Sequence, residues 1–230
     1  PAGLGNVIVI AQSMDRELLR TAPSALSGAA TGATYSRDTI VLLAIEQYIT
    51  NLGYRALASM NDSALVIPLA IKAGLGEYGR HGLLITRDFG PRVRLGKVFT
   101  DMPLAHDRPI RFGVRETCDI CRACTDACPA KAIADGEPST RVHNRSNIRG
   151  IRKWTTDAER CFRFWANQNT DCAICVRVCP YNRDFGRPGS RAWRWLAGTR
   201  LRRLALWLDR KSGRGRRLAP SRWWNTASRG

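Results

Sequence analysis

Eight cysteines lie between positions 118 and 179, and the chain of 230 residues has no others. The first four follow the spacing C-x2-C-x2-C-x3-C and precede a proline: Cys118, Cys121, Cys124, Cys128 and Pro129. The other four end in the same way, with a longer gap after the first of them: Cys161, Cys172, Cys175, Cys179 and Pro180. Thiolate sulfur is a soft ligand, and cysteines at this spacing predict a metal or iron–sulfur centre.

The spacing of the first group is that of bacterial [4Fe–4S] ferredoxins, in which the fourth cysteine ligates the other cluster. Three thiolates two residues apart hold one side of a cubane, and the proline after each group turns the chain away from a helix. Crossed ligation then gives one cluster the first three cysteines and the last: Cys118, Cys121, Cys124 and Cys179. The second cluster receives the remaining four: Cys161, Cys172, Cys175 and Cys128.

Zinc and disulfide bonds are the alternative uses of these cysteines. Zinc sites usually combine two C-x2-C pairs, and the C-x3-C-P ending is foreign to that pattern. A framework built from eight cysteines is typical of a short secreted chain, whereas this chain has 230 residues and a separate apolar part. The spacing therefore favours two [4Fe–4S] clusters.

Length and charge limit the function classes that remain. The length fits one large domain or two small ones, and an apolar fraction of 44% is ordinary for a globular protein. The net charge is +18, and residues 181–230 alone hold 14 basic and 2 acidic side chains. A segment this basic favours a polyanionic partner, which is nucleic acid, an acidic membrane surface or an acidic redox protein.

The ends of the chain carry no recognisable targeting segment. No run of 18 apolar residues predicts a membrane-spanning helix, and no signal-peptide pattern precedes the apolar residues 7–10. Because the chain begins with a proline directly before this predicted strand, we expect that it belongs to a longer protein.

The segment before the cysteines alternates the periodicities of strands and helices, which indicates an α/β fold. The patterns predict strands at 7–13, 54–59, 83–86 and 92–100, and helices at 36–52 and 63–73. Gly53 is expected to end the first helix, and Asn61 to cap the second. Residues 24–34 are small and glycine-rich and predict a loop or the entry to a helix. The last two strands are expected to form a hairpin before the cysteines.

A glycine-rich stretch at 73–82 connects this helix to the following strand. It lacks the strand–G-x-G-x-x-G–helix order of a dinucleotide site and the G-K-[ST] ending of a P-loop. Two interpretations stay open: a flexible connection, or bare backbone that approaches a large flat cofactor closely.

Several segments in combination resemble the cobalamin-dependent reductive dehalogenases. They are residues 74–86, 89–92 and 97–104 before the cysteines, and 153–154 and 164–165 on either side of Cys161. The resemblance covers about residues 5–225. It implies a partial nitroreductase-like α/β domain at 1–110 that binds base-off cobalamin, a ferredoxin-like domain with two [4Fe–4S] clusters at 111–185, and a basic C-terminal helix and tail at 186–230.

The resemblance also implies an activity and its residues. The activity is the removal of halide from an organohalide, with electrons passing from the clusters to cobalt. The family's proton donor is a tyrosine paired with a lysine or arginine about sixty residues later, and Tyr35 and Lys97 stand 62 positions apart. A cation beside a phenol favours the phenolate and makes the phenol a better acid toward a carbanion. Asn61 is the implied substrate contact. The implied corrinoid contacts are Gly74, Gly76, Gly79, Arg80 and Gly82.

Each of these residues also has a structural interpretation. Tyr35 follows a loop of small residues and would then only line a pocket, Lys97 would be a surface charge on a strand, and Asn61 would cap its helix.

Two other functions stay open. The epoxyqueuosine reductases, cobalamin and iron–sulfur enzymes that act on tRNA, would explain the basic tail. Their G-E-[IV]-L-T-D motif is replaced here by residues 96–101, and their donor aspartate has no clear match near Tyr35. The third interpretation is an electron-carrier module with no chemistry of its own.

The dehalogenase interpretation implies an organohalide substrate and an electron-donor protein, which is a ferredoxin, a flavodoxin or a reductase. It does not favour nucleic acid as a partner. We expect a cytoplasmic protein, because thiolate-bound clusters are assembled under reducing conditions. Contact between the basic tail and a membrane surface is the alternative.

Overall fold

The structure is a computed structural model that describes residues 2–227. Pro1 and residues 228–230, at the outer ends of the first and last predicted domains, lie outside the described residues. Up to the first cysteine the elements are β1 (Asn6–Ser13), α1 (Arg16–Arg20), α2 (Ala25–Asn51), β2 (Ala56–Ser59), α3 (Val66–Lys72), β3 (Gly76–Tyr78), β4 (Leu84–Thr86) and β5 (Val93–Thr100). They are followed by α4 (Val114–Cys121), α5 (Ala123–Ala127), α6 (Ala158–Gln168), α7 (Ile174–Arg177), α8 (Pro188–Gly198), α9 (Arg202–Ser212) and α10 (Pro220–Ala227).

A three-stranded antiparallel sheet of order β1-β5-β2 carries the N-terminal part. One face of β5 packs on α2, where Leu42, Ile49 and Val98 form a buried apolar cluster. Because side chains alternate along a strand, the residues two and four before Val98 face α2 as well. These are Gly96 and Arg94, whereas Lys97 faces the other side of the sheet.

Helix α2 is longer than predicted, and the loop interpretation of residues 24–34 is wrong. Ser24 caps the helix: its hydroxyl accepts a hydrogen bond from the Ser27 amide, and the Ser27 hydroxyl accepts one from the Ser24 amide, each at 3.2 Å. This reciprocal pair is a capping box, a signal that the small residues concealed. The predicted end is confirmed, because Gly53 follows the last helical turn at φ 90°.

The predicted hairpin forms between different strands. The second sheet pairs β3 with β4. Strand β5, which was expected to pair with β4, lies in the first sheet between β1 and β2. Gly76 explains the pairing, since a Cβ at this position would collide with the carbonyl oxygen of Ile85 on the opposite strand. The glycine-rich stretch is therefore partly a strand.

A second apolar core joins β4, the cysteine segment and the C-terminal helices. Its buried residues include Ile85, Val114, Trp154, Tyr181, Trp193 and Leu206. This core crosses the boundaries predicted near residues 110 and 185, so the division into three domains stays a prediction.

The basic C-terminal segment forms three helices in place of the single one predicted. Trp193 is buried against α9, whereas the side chains of Leu204 and Trp207 are exposed. Among the described residues, no helix combines the length and apolarity needed to cross a bilayer.

Candidate active site and cluster-binding site

The eight cysteines are arranged as two quartets. The first quartet lines a small cavity beside α4: Cys118, Cys121, Cys124 and Cys179. The second quartet lines part of a much larger cavity: Cys128, Cys161, Cys172 and Cys175. All eight thiols are free of disulfide bonds. The quartets are the crossed sets that the spacing predicts.

The crossing arises because α5 and α7 pack against each other. Cys124 lies near the start of α5 and Cys128 directly follows its end, and both lie in one apolar cluster with Cys161 and Cys175. The thiol of Cys179 lies near enough to Cys118, Cys121 and Cys124 to feel their charges. The fourth cysteine of each motif thus points toward the other motif's cavity.

The thiols fit a metal cluster better than a free state. Burial raises the pKa of Cys161 to about 11, and the neighbouring Cys172 and Cys128 add to the shift. Burial likewise raises the pKa of Cys124 to about 12. Buried thiols that oppose one another's ionisation become thiolates only beside a cation such as iron. Within residues 2–227, no group of three or more His, Cys, Asp or Glu side chains is arranged to hold a single metal ion.

The larger cavity has a volume of about 450 Å³, which lies in the range of small-molecule and cofactor sites. Its walls come from α2 with Thr31, β5 with Arg94, the turn before β4 with Gly82, and α6 with Trp165. Because the second quartet lines the same cavity, a molecule bound there would lie close to the second cluster.

Tyr35 does not itself line this cavity but lies one turn after Thr31 of its wall on α2, where two donors hold it. The side-chain amide of Asn61 donates to its hydroxyl oxygen at 2.8 Å, and the Arg94 guanidinium donates to the same oxygen at 3.2 Å. Arg94 also covers the ring, 4.5 Å from its centroid. Two N–H donors at a phenol oxygen leave its own O–H free to point elsewhere, and they stabilise the negative charge that appears when the proton leaves.

The predicted contact between Tyr35 and Lys97 does not form. Lys97 faces the opposite side of β5, where its ammonium donates to the carbonyls of Met60 at 2.8 Å and Asp62 at 2.7 Å. These two carbonyls flank Asn61, so Lys97 fixes the turn that presents Asn61 to Tyr35. Lys97 is fully buried, which excludes the surface-charge interpretation. Burial lowers the pKa of Lys97, and the nearby Asp62 carboxylate opposes this effect.

Asn61 does not cap α3. The residue at the cap position is Leu65, whose side chain makes no capping hydrogen bond, while Asn61 is exposed and bonds to Tyr35. A role of Asn61 at a substrate site stays a prediction.

The predicted corrinoid contacts divide into two groups. Gly82 lines the large cavity, and Gly79 lies against the ring of His81. Gly74 and Gly76 instead closely approach the chain's own backbone: a Cβ at Gly74 would lie 2.7 Å from the carbonyl oxygen of Arg108. Contact between these glycines and a cofactor stays a prediction.

Arg80 supports the first quartet. Its buried guanidinium donates to the carbonyls of Cys118 at 2.9 Å, Ala134 at 3.1 Å and Gly136 at 3.0 Å, and it stacks on Trp154. These bonds join α4 to the loop after the first cysteine motif. A direct contact between Arg80 and a corrinoid stays a prediction.

His81 lines both cavities and was missed by the sequence analysis. Its Nδ1 accepts a hydrogen bond from the Leu83 amide at 3.2 Å, which places the proton of the neutral ring on Nε2. Burial lowers the pKa of His81 to about 4, so this ring is neutral at physiological pH.

Arg94 was missed too, although a signal existed. The family pattern admits an arginine about sixty positions after the tyrosine, and the alternation of β5 puts Arg94 on the α2 side with Gly96 and Val98. Asp38, one turn after Tyr35 on α2, is a buried aspartate that the sequence analysis also passed over.

Two family models match the chain. The model of the reductive dehalogenase subunit matches residues 4–104, and that of the 4Fe-4S double cluster binding domain matches residues 117–182. A tetrachloroethene reductive dehalogenase of Desulfitobacterium hafniense is 44% identical over 183 residues, which are 77% of this chain and 33% of that protein. An epoxyqueuosine reductase of Aliivibrio fischeri is 32% identical over 158 residues, 61% of this chain and 36% of that protein.

The fold agrees with these matches. The structure of a catabolic reductive dehalogenase superposes with a TM-score of 0.80 at 27% identity and covers 92% of this chain and 30% of that one. The chain spans about a third of the length of the curated dehalogenases that it matches. The tetrachloroethene reductive dehalogenase match is higher in identity and covers more of this chain than the epoxyqueuosine reductase match. The chain belongs to the reductive dehalogenase family.

Proposed function

We propose that this chain carries the catalytic part of a reductive dehalogenase that removes halide from an organohalide with a corrinoid and two [4Fe–4S] clusters. The observation that carries the proposal is the pair of hydrogen bonds from Asn61 and Arg94 to the hydroxyl of Tyr35, with Arg94 in the wall of the large cavity.

The reaction consumes two electrons and one proton and converts R–X to R–H and a halide ion. A corrinoid bound in the large cavity would supply a strongly reducing cobalt centre. Thr31, Gly82 and Trp165 of the cavity wall are placed to hold its ring. The cluster held by the second quartet would deliver electrons one at a time from the same wall.

Tyr35 supplies the proton. The donors Asn61 and Arg94 hold its oxygen in place, and the fixed charge of Arg94 stabilises the phenolate that remains. Lys97 takes part indirectly, because it fixes the turn that carries Asn61.

An electron-donor protein, which is a ferredoxin, a flavodoxin or a reductase, would reduce the first quartet's cluster, the one farther from the large cavity. A membrane contact through the basic C-terminal helices and a cytoplasmic location stay predictions. The exposed Leu204 and Trp207 of α9, with arginines beside them, support the former.

The test is halide release by the anaerobically reconstituted protein from a panel of aryl and alkyl halides. Tyr35→Phe is expected to lower the rate by about 10²–10⁴-fold, the usual contribution of a general acid. Tyr48→Phe is the matched control, because Tyr48 lies on the same helix with its side chain exposed. Equal halide release by both variants would contradict the role of Tyr35.

A further inference from the structure

Asp38 is a buried carboxylate without a hydrogen-bond partner. Its side chain is fully buried in the fold, and neither carboxylate oxygen has a partner. A lone buried charge is costly, so such a group usually has a compensating charge nearby or stays protonated.

The packing around Asp38 leaves space for the carboxylate where β5 has no side chain. A Cβ at Gly96 would lie 2.7 and 2.9 Å from the two carboxylate oxygens and 2.6 Å from Leu42. The absence of a side chain at Gly96 thus lets the Asp38 carboxylate lie flat against β5. Asp38 is also one turn from Tyr35, on the helix face that packs on this strand.

Arg94 is the compensating charge. Burial raises the pKa of the Asp38 carboxyl, and the guanidinium of Arg94, two residues before Gly96 on the same face of β5, opposes this shift. The Nε of Arg94 is buried and has no acceptor, while its Nη1 bonds to Tyr35. Arg37, the nearest basic side chain on α2, is exposed and donates to the Ser13 carbonyl instead.

We propose that Asp38 is a positioning residue that holds the Arg94 guanidinium against the hydroxyl of Tyr35. The unpartnered carboxylate and the unpartnered Nε attract each other across the space beside Gly96, and this attraction keeps Nη1 directed at the phenol oxygen. Asp38 acts through Arg94, which lines the large cavity, and not by contact with the substrate. The inference rests on the proposed role of Tyr35.

The test is a ¹³C NMR titration of the full chain that follows the carboxyl carbon of Asp38 and the hydroxyl-bearing ring carbon of Tyr35. The titration needs neither corrinoid nor substrate. Absence of coupling between Asp38 and Tyr35 would therefore leave the dehalogenase proposal standing. Conversely, a failure of halide release would leave this coupling testable. The Tyr35 signal is expected to shift with the same midpoint as the Asp38 carboxyl, and this shift is absent in Asp38→Asn.

Arg94→Gln separates a coupled pair from a carboxylate that only fills space. Loss of the guanidinium is expected to move the Asp38 midpoint to higher pH, because the carboxylate loses its stabilising cation. Glu46→Gln, a change at a partly exposed side chain two turns further along α2, is expected to leave both midpoints in place. An Asp38 midpoint unchanged by Arg94→Gln would overturn the proposal. If the variants do not fold, a wild-type Tyr35 signal that is insensitive to Asp38 titration would overturn it as well.

Discussion

The ammonium of Lys97 acts on Asn61 and not on Tyr35. It bonds to the carbonyls on either side of Asn61, at the end of β2, from a fully buried position on β5. One cation thus fixes the turn that presents Asn61, while a second cation, Arg94, contacts the phenol directly.

Lys97→Met is expected to lower the free energy of unfolding by about 2–3 kcal/mol, since two carbonyls lose a charged donor. Halide release should fall as well, because the turn that holds Asn61 loosens. Urea unfolding measures the first effect, and amide exchange at residues 60–63 locates it. Lys72→Met, at an exposed site on α3, is the control. Similar unfolding midpoints for the two variants would contradict this account of Lys97.

The pH dependence of stability tests the burial of Asp38. Burial raises the pKa of Asp38 above its usual 3.8, and the field of Arg94 opposes the shift. Between these two pKa values the folded chain keeps a proton that the unfolded chain has released, so stability falls as the pH rises through this window. The Asp38→Asn variant has no carboxyl to titrate at this position, so its stability does not fall in this pH window. Urea unfolding from about pH 4 to 7 should show the wild type losing stability relative to the variant, and parallel curves would argue against the shift.

At the residue scale, the sequence was sufficient to group the cysteines into two quartets but not to identify the cation at the phenol of Tyr35, whose catalytic role stays a proposal. The eight thiols are identified by spacing that the cluster itself requires. The choice between Lys97 and Arg94 depends on which face of β5 meets α2, and a separation of about sixty residues does not contain this information. Asp38 was missed because its neighbour Gly96 becomes significant only once the strand and helix are packed.

At the level of elements, the packing of α5 on α7 places the last cysteine of each motif with the first three cysteines of the other motif. Cys128→Ser is therefore expected to remove the cluster that Cys161 binds, although Cys128 belongs to the other motif.

Iron content tests the crossing. Cys128→Ser combined with Cys161→Ser should lose about four irons, no more than either change alone, while Cys128→Ser combined with Cys121→Ser should lose about eight. The reverse result, with additive loss in the first pair, would mean that each motif binds its own cluster.

The last long helix is attached through a buried ion pair. The Arg183 guanidinium, just after the second motif, donates to the Asp209 carboxylate of α9, and both side chains are almost fully buried. Loss of one partner leaves the other charge unpaired in the core.

Arg183→Leu is expected to cost about 3–5 kcal/mol of unfolding free energy in urea titrations. The double variant Arg183→Leu with Asp209→Leu should recover part of this loss, because no unpaired charge remains. The exposed pair Arg187–Asp184 provides the control, and Arg187→Leu should change stability by about 0–1 kcal/mol. A loss as large at Arg187 would mean that burial does not determine the cost.

Most elements before the cysteines were predictable from periodicity, and their pairing was not. The predicted strand and helix positions agree with the structure, apart from the capped start of α2, and strand β3 within the glycine-rich stretch was not predicted. The hairpin was assigned to the wrong strands, because pairing depends on the close approach at Gly76, which no local pattern reveals.

At the scale of the whole molecule, the large cavity brings together parts that lie far apart in the chain. Thr31 of α2, Arg94 of β5 and Trp165 of α6 meet there beside the second quartet. The proposed proton donor, the space proposed for the corrinoid and the second quartet thereby become neighbours, although the chain spans about a third of the length of its curated relatives.

The iron and cobalt content after anaerobic reconstitution with iron, sulfide and cobalamin tests the central claim most directly. The account predicts about eight irons and one cobalt per chain, with each quartet holding one cluster. About eight irons without retained corrinoid would reduce the chain to an electron carrier. Zinc in place of iron would contradict the cluster assignment and the proposed function that rests on it.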